Sequence, residues 1–165
     1  MTNNNFKVIE YKTEFKPYII KALIELQAYE HDLSDTRKAP SIQVCEEYFL
    51  VLLNNIENQA GKIFVCLQDD VFTGFVSYYI EQNEVVFEED NSNIYALISD
   101  ICVLKNFQNQ GIAGHLLDKI FDHLKLKQFN GRVRVNSLAN NVSAIRTYEK
   151  YNFKPYEITY EKKVN

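Results

Sequence analysis

The chain has 165 residues, enough for one domain with a real core. Hydrophobic residues make 46 % and charged residues 24 %, an ordinary soluble composition, and a net charge of -4 without a basic tract argues against nucleic acid as a partner. No apolar run is long enough to span a bilayer, and Met1 to Phe6 is polar and Asn-rich rather than signal-like, so a cytoplasmic protein with no membrane contact is expected.

Lys7 to Tyr11 is a short strand. Pro17 then sits where a first helical turn tolerates it, and Tyr18, Ile19, Ala22, Leu23, Leu26 and Tyr29 repeat at helical spacing. His31 to Pro40 is polar and turn-like. Ser41 is placed to cap a second helix, whose apolar face carries Cys45, Tyr48, Phe49, Leu52 and Ile56 and which ends at Ala60-Gly61. A hairpin follows, with strands Ile63 to Leu67 and Val71 to Ile80 around the turn Gln68-Asp69-Asp70. Glu81 to Asn93 is an acidic loop with no basic residue. Tyr95 to Leu104 is an apolar strand, His115 to Phe129 a helix, Arg132 to Asn136 a strand and Asn141 to Tyr151 a short helix. Phe153 to Lys163 is expected to close the chain as a strand.

This order predicts a mixed α/β fold in a single domain over residues 1–165. The sheet is mostly antiparallel, with helices on both faces and one strand–helix–strand crossover at its centre. Cys45, Cys66 and Cys102 are odd in number, far apart and each inside an apolar segment. They suit buried free thiols, not a disulfide framework, and no metal site is expected.

The chemistry concentrates between the Tyr95–Leu104 strand and the helix after it. Phe107-Gln108-Asn109-Gln110-Gly111-Ile112-Ala113-Gly114 is a strand-to-helix turn rich in small residues. Such a turn presents unpaired N–H groups at the positive end of a helix, an arrangement that binds phosphate. The Walker pattern is excluded because His115-Leu116 stands where Lys-Ser/Thr is needed, and the dinucleotide pattern G-x-G-x-x-G is absent. Gln108, Gly111 and Ala113 resemble the pyrophosphate loop of the GNAT (general N-acetyltransferase) superfamily, Gln/Arg-x-x-Gly-x-Gly/Ala. Asn141-x-x-Ala144-Ile145-x-x-Tyr148, followed by Tyr151 and Phe153, resembles the C-terminal motif of the same superfamily. Asn152 replaces the usual Gly there, and Asn tolerates the left-handed backbone a helix end needs. Ile24 to Glu30 and Ser99 to Val103 are similar to parts of diamine acetyltransferases.

The resemblance implies a splayed sheet, acetyl-CoA as acetyl donor and direct transfer to a primary amine, without a metal. It implies that Gln108, Asn109, Gln110, Gly111, Ile112, Ala113 and Gly114 seat the pyrophosphate through backbone N–H groups. It also implies that backbone near Ile101, Cys102 and Val103 pairs with the thioester arm, that Asn141 touches that arm, and that Tyr148 protonates the leaving thiolate. The side chain of Cys102 suits a core thiol rather than a nucleophile. Asp100, a carboxylate in an apolar strand, is the candidate for orienting or deprotonating the amine. Tyr29, His31 and Ser99 are candidates for the acceptor site. The expected acceptor is a small cationic amine or an amino-acid-like molecule. A protein or peptide amine, or an acyl-CoA-binding module without turnover, stays open, and the resemblance admits a homodimer.

Overall fold

The computed structural model describes residues 5–164; the Asn-rich start falls outside the described residues at positions 1–4. Strand β1 (Phe6–Glu10) leads through a single 3-10 turn into helices α1 (Lys16–Leu33) and α2 (Ile42–Asn58). Pro17 lies in the first turn of α1, and the Ser41 hydroxyl accepts the Val44 N–H at 3.1 Å, capping α2. Strands β2 (Lys62–Gln68), β3 (Val71–Gln82) and β4 (Ile94–Val103) follow, then α3 (Ile112–Leu126), β5 (Arg132–Val135) and α4 (Val142–Lys150). The sheet order is β1-β2-β3-β4-β5. Every neighbouring pair is antiparallel except β4 and β5, which α3 joins in parallel.

Alternation along β2 divides the core. Ile63, Val65 and Leu67 face α1 and α2 with Ile19, Leu23, Phe49 and Leu52. Phe64 and Cys66 face the other way, onto Ile112, Leu116, Leu117 and Ile120 of α3. All three cysteines are buried free thiols.

Two features of β4 position the site. Ser77 of β3 lies opposite Asp100 while Tyr78 lies opposite Ile98, so Ser99 is an extra residue, a β-bulge. The bulge changes which face the strand presents. Ala96 and Ile98 pack on the α3 side, whereas Cys102 packs on the α1/α2 side, and Asp100 falls on the face of Cys102. Second, β5 pairs with β4 only from Tyr95 to Ile98. Beyond that point the outer edge of β4, Ser99 to Val103, has no strand beside it among the described residues. This is the splay.

Three boundaries differ from the sequence reading. α1 runs on to Leu33, so His31, like Tyr29, belongs to the helix rather than to the turn after it. α3 starts at Ile112, which puts Ile112, Ala113 and Gly114 in its first turn. The expected strand from Phe153 to Lys163 does not form; these residues carry no regular secondary structure. Alternation alone cannot make a strand without a ladder partner, and Pro155 lacks an N–H to give one. Side-chain contacts hold the segment instead. The Arg134 guanidinium lies between the rings of Tyr95 (4.0 Å) and Tyr156 (4.3 Å), and the Tyr156 hydroxyl donates to Glu88.

Candidate active site

Gly111 caps α3 at φ 84°, a left-handed backbone, and Asn109 is also left-handed at 62°. A Cβ on Gly111 would meet no atom within 4 Å, so conformation and not crowding demands glycine there. Gly114 differs. A Cβ there would run into the Tyr151 hydroxyl, so its smallness serves packing of the α4 end on α3. Ile112 is buried in the α3-side core. From Asn109 to Ala113 the main-chain N–H groups donate to no acceptor among the described residues. The Gln108 side chain turns back, and its Nε2 donates to the Val103 carbonyl at 3.1 Å, closing the last position of the free β4 edge. Glu25 of α1 accepts the Lys105 N–H at 2.9 Å and holds the start of this turn.

Cys102 sends its thiol to the Ala22 carbonyl of α1 at 3.3 Å, away from the open edge. Burial, with Glu25 and Asp100 behind it, pushes that thiol up to about 12. Asp100 is nearly closed off from water at 8 % exposure. The Tyr48 hydroxyl of α2 donates to it, 2.9 Å from each oxygen, with Ser77 at 3.0 Å and Ser99 at 2.9 Å. Burial pushes the carboxyl up, and the three hydroxyls pull against that. Burial and then the Asp100 charge push the Tyr48 phenol up as well, so it stays a donor.

Asn141 caps α4, its Oδ1 accepting the Ala144 N–H at 3.1 Å, and the Tyr29 hydroxyl donates to the same oxygen at 3.3 Å. Asn140 ties the same junction to the end of α1 by donating to the Leu33 carbonyl at 2.7 Å. At the other end of α4, Asn152 adopts φ 63°, its N–H donates to Glu149 and that of Phe153 donates to Tyr148, both at 3.0 Å. This is a Schellman motif with Asn in the glycine place. Its hydrophobic contact is the Phe153 ring set edge-on against Tyr148, centroids 5.8 Å apart. The Tyr148 hydroxyl makes no hydrogen bond among the described residues. Burial first, then the Glu30 and Asp100 carboxylates, push it up to about 12. Glu30, on the last turn of α1, pairs with Arg37 at 3.1 Å and is itself raised by burial.

The structure thus gathers Asp100, Ser99, Tyr148, Asn141 and Tyr29 around the fork between β4 and β5. His31 stands apart, exposed, its Nδ1 2.8 Å from the Arg37 carbonyl and therefore donating to it.

A family model described as acetyltransferase (GNAT) family matches residues 26–153. The chain belongs to this family. Streptothricin acetyltransferase A of Bacillus subtilis (strain 168) is 35 % identical over 78 residues, 46 % of this chain and 44 % of that protein, so the match spans less than half of that relative. A solved single-site mutant of the BH1408 protein of Bacillus halodurans superposes with a TM-score of 0.79 over 96 % of this chain and 99 % of that one, at 13 % identity. AAC(6')-Iy, solved with the bisubstrate analogue CoA-S-monomethyl-acetylneamine, superposes with a TM-score of 0.66 over 97 % and 99 %, at 14 % identity. At such identities these two structures speak for the fold alone.

Three groups beside these candidate residues escaped the sequence reading. Tyr48 read only as part of the apolar face of α2, though a phenol on a buried face needs a partner and Asp100 needs donors. Ser77 carried no signal, and Glu30 appeared only as the last residue of the Ile24–Glu30 likeness, with no role assigned to it. The acidic 81–93 loop is not simply solvated: Glu88 pairs with Arg134 at 3.2 Å, and Arg132 donates to Ser92 at 3.2 Å. The Tyr156 hydroxyl and Arg134 hold the Glu88 carboxyl below its usual range. Among the described residues no helix is long and apolar enough to cross a membrane.

Proposed function

We propose that the chain is an acetyl-CoA-dependent N-acetyltransferase that acetylates a primary amine of a small cationic or amino-acid-like acceptor by direct attack. The observation that carries this reading is the row of unpaired N–H groups from Asn109 to Ala113 beside the strandless edge of β4. The row at the start of α3 suits a pyrophosphate, and the edge suits an amide-bearing arm that pairs as a strand would. Because Gln108 already occupies the Val103 carbonyl, that pairing falls nearer Ser99 and Ile101. Acetyl-CoA supplies the acyl group as an activated thioester.

Tyr148 is the general acid in this reading. Its phenol, pushed up to about 12, keeps its proton at neutral pH, and no neighbour competes for it. It gives that proton to the sulfur as the C–S bond breaks and the amine nitrogen takes the acyl carbon. Asp100 orients rather than deprotonates, because hydroxyls fill both its oxygens. Glu30 is the better proton acceptor for the incoming ammonium, being raised by burial and held by a single guanidinium. Two carboxylates near Tyr148 against one Arg favour a cationic acceptor. Tyr29 and Ser99 border its path, and His31 braces the loop at Arg37.

One relative is named for streptothricin, and one solved neighbour holds a CoA-linked acetylneamine; both favour a small-molecule amine over a protein amine here. The test is calorimetric titration with acetyl-CoA, with ATP as control, then an amine panel scored by thiol release. Tyr148→Phe should lower kcat by about 10²-fold and leave acetyl-CoA affinity unchanged. No heat with acetyl-CoA would overturn the reading, and full turnover in Tyr148→Phe would remove Tyr148 from the mechanism. Acetyl-CoA binding without thiol release from any amine would make the chain an acyl-CoA-binding module.

A further inference from the structure

Residues 83–93 join β3 to β4, and the tip of that connection is built against local preference. The Glu88 N–H donates to the Val85 carbonyl at 3.0 Å, closing a tight turn with Val86 and Phe87 at its corners. Such corners usually hold Gly, Pro, Asn, Asp or Ser. Val86 is 94 % exposed and Phe87 wholly so. Both ends of the turn are pinned. The Asn93 Oδ1 accepts the Val85 N–H at 3.1 Å, and Arg134 donates to Glu88 and to the Ser92 carbonyl, both at 3.2 Å. Two apolar side chains are thus presented to solvent on a fixed base, which marks a contact surface. Glu84, Glu89 and Asp90 flank them in sequence, exposed and without an ion pair among the described residues.

The same chain carries a receptor for this turn. A shallow groove of about 450 Å³ lies on the α3 side of the sheet, lined by Phe121, Leu124, Phe129 and Val133. Lys125 is the one charged residue of its lining, and Lys127 follows at the same helix end. Neither lysine has an ion pair among the described residues. An apolar turn with an acidic border therefore faces a counterpart that is an apolar groove with a basic border. The turn does not enter its own groove. Alternation on β5 sends Val133 toward α3 and Arg134 to the opposite face, and Arg134 holds the loop there. Turn and groove nevertheless share one corner of the molecule. At the end of the connection the Ile94 carbonyl lies against Gly131 of the groove, where a Cβ would meet it at 3.0 Å. A two-fold axis at that corner brings each turn to the other copy's groove.

We propose that two copies of this chain associate about such an axis, the Val86–Phe87 turn of each seated in the Phe121–Phe129–Val133 groove of the other. Glu84, Glu89 and Asp90 are then set against Lys125 and Lys127. Two small contacts make a weak dimer, with a Kd of about 10–100 µM. The association uses no group of the acetyl-transfer site and would stand if that reading fell.

The test is sedimentation velocity of the intact chain from about 2 to 300 µM, which should show a monomer passing to a dimer and to nothing larger. Phe87→Ser should weaken the association about tenfold or more. Lys125→Glu, which sets like charges together, should weaken it about fivefold or more. At about 2 µM, where the protein is monomeric, Phe87→Ser should unfold at the wild-type urea concentration, so that lost contact is not mistaken for lost fold. Truncation after Tyr156 should leave the dimer intact. A monomer at every concentration would overturn the proposal, and so would a dimer that either substitution leaves at full strength. Assembly beyond the dimer would mean an open head-to-tail contact, and loss of the dimer on truncation would move the contact to the tail; both overturn it. Should Lys125→Glu fail to fold, the fully exposed Phe87 decides.

Discussion

A carboxylate shut away from water usually has a cation beside it, and Asp100 instead has the hydroxyls of Tyr48, Ser77 and Ser99. Tyr48→Phe removes the donor that reaches both oxygens without changing the ring. It should destabilise the fold by about 1–3 kcal/mol in urea, because the remaining carboxylate loses a charge-assisted bond in a buried place. A loss within error would mean that solvent reaches Asp100 freely. The pH dependence follows from the raised carboxyl. The native Asp100 holds its proton to a higher pH than the unfolded one, so between the two midpoints the native state binds more protons. This contribution is full below the unfolded value, about 4, and is lost as pH rises through the folded value. Asp100→Asn has no such group. The stability of wild type relative to Asp100→Asn should therefore fall as pH rises above about 4, whatever the absolute cost of the amide. Parallel profiles for the two proteins would show that burial does not perturb this group.

At the scale of elements, the ends of helices do the positioning. The N-terminus of α3 leaves its N–H groups open because Gly111, with no side chain, caps it. Gly111→Ala must hold a Cβ at φ 84°, which costs about 1 kcal/mol although the space around it is empty. Acetyl-CoA affinity should fall by more than tenfold, since the methyl would enter the place assigned to the pyrophosphate. Denaturation and calorimetry separate the two effects. Unchanged acetyl-CoA affinity would mean that the pyrophosphate lies elsewhere. The C-terminus of α4 fixes Tyr148 from the other side, through Asn152 and the Phe153 ring. That arrangement was legible in the sequence, where Asn stood in a glycine position. So was the Ser41 cap, because capping is a local matter of neighbouring residues. The bulge at Ser99 was not, since it exists only in the pairing of β4 with β3. Its consequence, Asp100 turned toward Tyr48 of α2, was hidden with it, and so were Ser77 and Glu30, which meet the site only across the fold.

For the whole molecule, the order of elements read from periodicity predicted the crossover, a mostly antiparallel sheet and helices on both its faces, because each depends on which residues leave water. It overreached at the end of the chain. Tyr156, Ile158 and Tyr160 alternate as a strand should, yet they are 58, 67 and 89 % exposed. Alternation records that one face is apolar, not that another strand is there to receive it. The four residues of β5 end the sheet beside this segment. Of these three, only Tyr156 is anchored among the described residues, by Arg134 and Glu88. Residues past it bury little apolar surface, so their removal should cost little. Truncation after Tyr156 should leave Tm within about 2 °C of the full chain and leave acetyl-CoA binding intact. A larger loss at every protein concentration would mean that the segment completes the sheet within one chain in solution. A loss that grows as the protein is concentrated would mean that it pairs with a second copy, because only an association scales with concentration.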